Sequence, residues 1–196
     1  MAKEKAYEEK IVKLILIKEG IYDLEEDLII KCPISIHGAA QDKTIFHGGL
    51  KIQGTKEAGK NGGLTDMTVS GASDYGLFAS NGLSFLCKEM TFTQCGDSGV
   101  YAQYTKGRLI NCVITQSGKS GIYCGSNALI ELEGDQTKVD RNVISEGCYG
   151  LKTSGTSSTI HLLFPLTKES VSTNNHDGRN YNSTGTIQTV DTLESL

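Results

Sequence analysis

Short runs of alternating apolar and polar residues are spread along most of the chain, and their spacing is regular. Glycines that each precede an aliphatic residue mark this spacing, at intervals of 23, 22 and 29 residues: Gly76-Leu77, Gly99-Val100, Gly121-Ile122 and Gly150-Leu151. The segments LTDMTVSGASDYGLFAS, LCKEMTFTQCGDSGVYAQ and LINCVITQSGKSGIYCG align on the first three of these glycines. A repeat of about 22 residues with glycine punctuation is typical of a solenoid.

Apolar residues occupy fixed positions within each repeat. The residue after the glycine is aliphatic, and the residue two further on is small: Ala79, Ala102, Cys124 and Thr153. Two more apolar positions come nine and seven residues before the glycine: Met67 and Val69, Met90 and Phe92, Cys112 and Ile114. Each repeat therefore offers inward-pointing pairs at a period of two on at least two faces. Since neither face alone buries enough surface to fold, the pattern predicts coils stacked about 4.8 Å apart in a parallel β-helix, with glycine at tight corners.

The same pattern sets the expected boundaries of one all-β domain over residues 1–196. Residues 2–10 have helix-forming composition and are predicted to form a short helix that caps the first coil. Residues 11–166 are predicted to form about seven or eight coils, and residues 167–196 a polar tail with a last strand. Residues 126–147 hold six or seven extra positions, and whether these enlarge a coil or leave it stays open.

The stretch LILIKEGIYDLEEDLIIKCPISIHGAA and the repeated Gly-aliphatic step resemble the parallel β-helix repeats of the pectin-lyase-like superfamily. The resemblance covers roughly residues 11–165 and implies a right-handed β-helix. The superfamily includes polysaccharide lyases, hydrolases and epimerases, and also non-catalytic binding and structural proteins. Its catalytic motifs are absent here, because His37 and His47 lack paired carboxylates and no arginine stands in an Arg-x-Lys sequence. No catalytic residue is therefore carried over.

Charge and hydropathy narrow the range of partners. The net charge is −4 and the lysines and arginines are scattered, whereas nucleic-acid binding requires a basic stripe. No apolar run approaches the ~20 residues of a membrane span. The first residues, MAKEK, lack the apolar segment of a secretory signal, which favours a cytoplasmic location and leaves virion assembly or unconventional export open. We therefore expect neither nucleic acid nor a membrane as partner.

The cysteines form no Cys-x-x-Cys pair, and no histidine lies at zinc-finger spacing: Cys32, Cys87, Cys95, Cys112, Cys124 and Cys148. In the repeat alignment Cys112 and Cys124 fall at inward positions, so they are expected to be buried free thiols. No metal or other cofactor is expected, except Ca²⁺ if the protein is a lyase.

An aromatic column is the first candidate site. Two residues after the repeat glycines stand Phe78, Tyr101 and Tyr123, followed by Lys152 in the next repeat, and these side chains are expected to point outward. A stacked row of exposed rings could bind the C–H faces of sugars, or it could be an aromatic ladder that stabilises the solenoid. Both interpretations stay open.

A charged column is the second candidate. Asp74, Asp97 and Lys119 stand two residues before successive repeat glycines, so stacking should place them about 5 Å apart. Such a row could hold a cation or act as acid and base across a glycosidic bond, or it could consist only of corner residues. In the long interval, Glu131 and Glu133 are expected to face solvent from one strand.

The sequence thus favours a non-enzymatic β-helix that serves as a rigid binding or structural module, with Phe78, Tyr101 and Tyr123 as the ligand-binding residues. The alternative is a polysaccharide lyase or glycoside hydrolase that uses Asp74, Asp97 and Lys119. The expected partner is a polysaccharide or a protein surface. The expected state is a monomer, or an oligomer formed end to end through open strand edges.

Overall fold

The computed structural model describes residues 13–56, 60–142 and 147–196. The capping helix predicted for residues 2–10 lies outside the described residues.

Nearly all regular structure in the described residues is β-strand. The first ten strands are β1 (Leu14–Leu16), β2 (Gly20–Asp23), β3 (Leu28–Ile30), β4 (Ser35–His37), β5 (Thr44–His47), β6 (Leu50–Ile52), β7 (Asn61–Ser70), β8 (Leu77–Ala79), β9 (Ser84–Thr93) and β10 (Val100–Gln103). The later strands are β11 (Lys106–Ile110), β12 (Val113–Thr115), β13 (Ile122–Gly125), β14 (Leu129–Glu133), β15 (Lys138–Asp140), β16 (Leu151–Ser154), β17 (Thr159–Leu163), β18 (Ser172–Thr173), β19 (Tyr181–Ser183) and β20 (Thr186–Val190). A short helix, α1 (Lys168–Val171), precedes β18, and a 3₁₀ turn (His176–Gly178) follows it.

These strands form three faces around one core. The first face contains β1, β4, the first half of β7, the first half of β9, β11, β14, β17 and β20. The second contains β2, β5, the second halves of β7 and β9, β12, β15 and β18. The third contains β3, β6, β8, β10, β13, β16 and β19. Every strand pair in the described ranges is parallel, so the chain winds through about seven turns as an all-β solenoid, which confirms the predicted fold class.

The core consists of columns of inward side chains in register. Leu77, Val100, Ile122 and Leu151 stack on the third face and are fully buried. The predicted inward residues of the second face are also fully buried: Met67, Val69, Met90, Phe92, Cys112 and Ile114. Burial of such residues stabilises the fold by roughly 25 cal/mol per Å² of apolar surface, and because each coil covers the next, the stabilisation depends on stacking.

The repeat glycines are required by close packing and not by their backbone angles. A Cβ on Gly99 would lie 2.3 Å from Ile114 Cγ2, and one on Gly121 would lie 2.3 Å from Val139 Cγ1. Neither glycine adopts a positive φ. The left-handed corner between the first and second faces is instead formed mostly by polar residues: Asp66, Glu89, Asn111 and Gly134.

In the 29-residue interval, β14 and β15 keep their places in the ladder. The corners at 126–128 and 134–137 are each longer than the matching corner of the preceding coil. The prediction for Glu131 is wrong: its side chain is 0% exposed, because Arg108 and a later segment of the chain cover it. Glu133 is half-buried.

The solenoid also continues past residue 166, where the sequence predicts a polar tail with only a last strand. β18 pairs with β15, β19 with β16 and β20 with β17. Amide hydrogen bonds lie beside apolar contacts in this part of the core: Nδ2 of the buried Asn142 donates to Oδ1 of the buried Asn175 over 2.9 Å, and Val171 is buried nearby in sequence. A hydrophobic pattern does not reveal coils in which amide side chains occupy inward positions.

Substitution of Gly107 by alanine is expected to lower the free energy of unfolding by about 1–3 kcal/mol. Gly107 pairs with Phe85, and an added Cβ would lie 2.0 Å from the Phe85 ring. Gly62 pairs with Phe85 from the other side, but a Cβ there would meet Ile52 at an ordinary 3.6 Å. Gly62→Ala is therefore the matched control, and urea denaturation of both variants measures the difference. Equal losses would contradict the packing of Phe85 over Gly107.

Cysteine reactivity should differ between buried and exposed thiols. Cys87, Cys95, Cys112 and Cys124 are buried free thiols, whereas Cys32 is an exposed free thiol. Burial raises the pKa of Cys95, Cys112 and Cys124 to about 12, so these thiols stay protonated at pH 8. Reaction with a disulfide reagent at pH 8 should be fast at Cys32 and slow at the buried thiols until denaturant is added. Fast labelling of Cys112 in the native state would overturn this.

Candidate functional site

The predicted aromatic column is present on the outer side of the third face. Phe78, Tyr101 and Tyr123 are direct ladder partners in β8, β10 and β13. The ring centroids of Phe78 and Tyr101 are 5.3 Å apart, and those of Tyr101 and Tyr123 are 4.7 Å apart with an interplanar angle of 9°. The rings point outward because the strand residues on either side of them are core residues.

A fourth ring, Tyr75, joins the column from the corner before β8. Its centroid is 5.5 Å from that of Phe78 and 5.1 Å from that of Tyr101. The repeat pattern did not reveal Tyr75 because the matching positions of the next two repeats hold Ser98 and Ser120. An aromatic residue at a corner beside an aromatic column is the signal that could have found it. We call Tyr75, Phe78, Tyr101 and Tyr123 the aromatic strip.

The aromatic strip is neither covered nor fully open. All four side chains are half-buried, and burial raises the pKa of the Tyr75 and Tyr101 phenols. Each stacked pair contributes about 0.5–1.5 kcal/mol beyond simple burial. The strip therefore stabilises the solenoid and at the same time presents ring surface to solvent.

Cationic groups stand at both ends of the aromatic strip. Lys152, the ladder partner of Tyr123, places Nζ 5.0 Å from the Tyr123 centroid and donates to the Gly147 carbonyl oxygen over 2.6 Å. At the other end Lys51, the partner of Phe78, forms an ion pair with Asp27 at 2.7 Å. The stacked rings are thus flanked at each end by a lysine that can form hydrogen bonds or ion pairs.

The charged column borders the aromatic strip on one side. The backbone N–H of Asp97 donates to the Asp74 carbonyl oxygen, and that of Lys119 donates to the Asp97 carbonyl oxygen, both over 2.8 Å. Stacking therefore brings Asp74, Asp97 and Lys119 into one row. Asp97 also lies close enough to Tyr75 to contribute, after burial, to the raised pKa of that phenol.

Within this row the carboxylate of Asp97 is already engaged. It accepts a hydrogen bond from the Lys119 ammonium through Oδ2 and one from the Ser98 hydroxyl, 3.0 Å from Oδ1. The contact with Asp97 raises the pKa of Lys119, whose side chain is 50% exposed. Asp74 is exposed at the end of the row. Asp97 and Lys119 therefore form a corner ion pair, and either would have to leave its partner to act as acid or base.

Within residues 13–56, 60–142 and 147–196, no group of three or more His, Cys, Asp or Glu side chains is placed to hold a metal ion. Among the same residues, no helix has the length and apolar character that crossing a bilayer requires.

Comparison with known proteins identifies the fold. A family model described as a right-handed β-helix region matches residues 34–164, from just before β4 to just after β17. This stretch includes the aromatic strip and the charged column. No curated protein and no solved structure gives a significant match to the chain. The family match confirms the right-handed winding predicted from the sequence.

Replacement of Tyr101 by alanine should destabilise the protein more than replacement of Tyr123. Tyr101 contacts three rings, and Tyr123 contacts one ring and one cation. We expect Tyr101→Ala to lower the free energy of unfolding by about 2–4 kcal/mol and Tyr123→Ala by about half as much. Tyr101→Phe keeps the stack, loses only the 3.1 Å hydrogen bond to Gln103, and serves as the control in chemical denaturation. An unchanged stability of Tyr101→Ala would show that the rings do not support the fold.

Proposed function

The chain belongs to the right-handed β-helix family, and from that premise we propose that it is a non-enzymatic binding module whose aromatic strip binds a glycan. The observation that carries the proposal is the half-exposed stack of Tyr75, Phe78, Tyr101 and Tyr123 on the outer side of the third face. A rigid solenoid holds these rings in place before any ligand arrives, which lowers the entropic cost of binding.

The shape and chemistry of the strip match the two kinds of surface that a sugar presents. The apolar C–H faces of a sugar ring can stack on the aromatic rings. The three ladder positions from Phe78 to Tyr123 span about 10 Å, enough for contact with more than one sugar unit. Hydroxyl groups at the edge of the sugar can bond to Gln103 on one side of the strip and to Asp74 and Lys119 on the other.

The lysines at the ends of the strip indicate that acidic glycans, as well as neutral ones, should be tested as ligands. Lys152 lies over Tyr123 and is not part of an ion pair within the described residues, so it can contact a carboxylate or sulfate on a ligand. The binding experiment described below therefore uses a panel of neutral and acidic soluble polysaccharides.

A polysaccharide-active enzyme is the second candidate, because the charged column runs beside the aromatic strip. A glycan stacked on the rings would pass the carboxylates of Asp74 and Asp97. Against this candidate, Asp97 is held by Lys119 and Ser98. The two candidates differ in outcome: an enzyme releases new reducing ends or unsaturated uronates from the bound polysaccharide, and a binding module does not.

Binding of the purified chain to the polysaccharide panel tests the proposal, with affinity electrophoresis or calorimetry as the readout. We expect at least one polysaccharide to bind, and the Tyr101→Ala/Tyr123→Ala variant to lose about tenfold or more in affinity. Tyr104→Ala is the control, since this side chain is 60% exposed but lies outside the strip. Equal loss in Tyr104→Ala, or unchanged binding in a double variant that remains folded, would contradict the proposal.

A further inference from the structure

The segment 191–196 lies across the outer side of the first face, and we refer to it as the strap. It follows β20 and has no strand partner within the described residues. Its contacts converge on three side chains of neighbouring strands, Lys106 and Arg108 of β11 and Glu131 of β14. Because this surface is on a different face from the aromatic strip, a role for the strap does not depend on glycan binding.

A buried carboxylate forms the centre of the contact. Glu131 is 0% exposed, and its Oε2 accepts hydrogen bonds from Arg108 Nε at 3.1 Å and from Arg108 Nη2 at 2.8 Å. Its other oxygen, Oε1, accepts the backbone N–H of Glu194 over 2.9 Å. A buried carboxylate requires such partners, because an unpaired one would cost several kcal/mol. The strap supplies one of them.

The same ion pair binds the other side of the strap backbone. Arg108 Nη2 donates to the carbonyl oxygen of Glu194 over 2.5 Å, so the peptide group on each side of this residue is held. Lys106 Nζ donates to Glu194 Oε2 over 2.9 Å and to the carbonyl oxygen of Ser195 over 2.6 Å. Lys106 thereby lowers the pKa of the Glu194 carboxyl group.

These contacts recognise an extended peptide, and not a unique tertiary structure. Apart from the Lys106–Glu194 pair, each of them is made to a backbone N–H or C=O group of the strap. Any extended segment with an acidic residue at the central position could form the same set. A cavity of about 460 Å³ beside the strap, lined by Tyr104, Leu129 and Leu196 among others, leaves room for larger side chains next to the acidic residue.

We propose that Lys106, Arg108 and Glu131 form a binding site for an extended acidic peptide, and that the chain's own strap occupies this site. Arg108 and Glu131 bind the peptide backbone, and Lys106 selects the acidic side chain. The strap is therefore an intramolecular ligand, which a peptide of the same chemistry in a partner chain can replace only when the strap is released.

Two forms of the protein and one labelled peptide test the proposal. The peptide is DTLESL, the sequence of residues 191–196, and the two forms are the full chain and a variant that ends at Val190. Fluorescence anisotropy should show that the shortened variant binds the peptide about tenfold or more tightly than the full chain does. A peptide with Glu194→Gln should bind the shortened variant about tenfold more weakly.

Further variants distinguish specific binding of the peptide from nonspecific electrostatic attraction between the acidic peptide and cationic side chains. In the shortened variant, Arg108→Gln/Glu131→Gln should abolish binding while it avoids a buried unpaired charge. Lys88→Gln is the control, because Lys88 is an exposed cation on the same face and forms no hydrogen bond or ion pair with the strap among the described residues. Circular dichroism confirms that each variant is folded. Equal weakening by Lys88→Gln would overturn the proposal.

A shortened variant that folds and does not bind the peptide at millimolar concentration would also overturn the proposal. If the shortened variant does not fold, Glu194→Ala in the full chain replaces it. This change removes the Lys106 contact and keeps the chain length, so the free peptide should compete for the site and bind several-fold better than it binds the unmodified chain. No difference between the two would contradict a peptide site.

Discussion

In-register stacking of parallel coils is the constraint on which every other feature of this molecule rests. Residues one repeat apart lie directly above one another, so each side chain contacts a like or a complementary side chain in the next coil. Leu77, Val100 and Ile122 form a continuous apolar column because of this register. The same register, shifted by one residue, places Phe78, Tyr101 and Tyr123 on the outside. The core and the candidate site are thus two sides of the same three strands.

Stacking also explains why polar groups are accommodated so readily inside and beside the core. An amide or a charge in one coil always has a neighbour at fixed distance in the next coil. Asn142 meets Asn175, and Arg108 meets Glu131, in both cases as residues brought together by the winding of the chain. Such columns replace apolar contacts with hydrogen bonds, which are favourable when every buried group has a partner. They give the later coils a different chemistry from the earlier ones.

The sequence predicted the parts of the structure that repeat, and it failed where repetition stops. The inward positions around each repeat glycine and the outward ring column followed from spacing alone. The solvent exposure expected for Glu131 was wrong, because the alternation of a strand indicates its two sides but not which later segment covers the outer one. Tyr75 was missed because it has no counterpart in the next repeats. The extent of the coils beyond residue 166 was missed because the buried Asn175 and Ser172 fill inward positions with hydrogen-bonded side chains, which a hydrophobic pattern does not detect.

The outer side of the third face is the surface that we propose as the ligand-binding surface of this β-helix. Hydrogen–deuterium exchange, with and without a polysaccharide that binds the chain, is the decisive measurement because it reports on every segment at once. Slower exchange is expected in the peptides that contain Tyr75 and Phe78, Tyr101, and Tyr123, with little change in β11 and β14 of the first face. Protection confined to the first face or to the first coil, with none along the aromatic strip, would contradict the proposed surface.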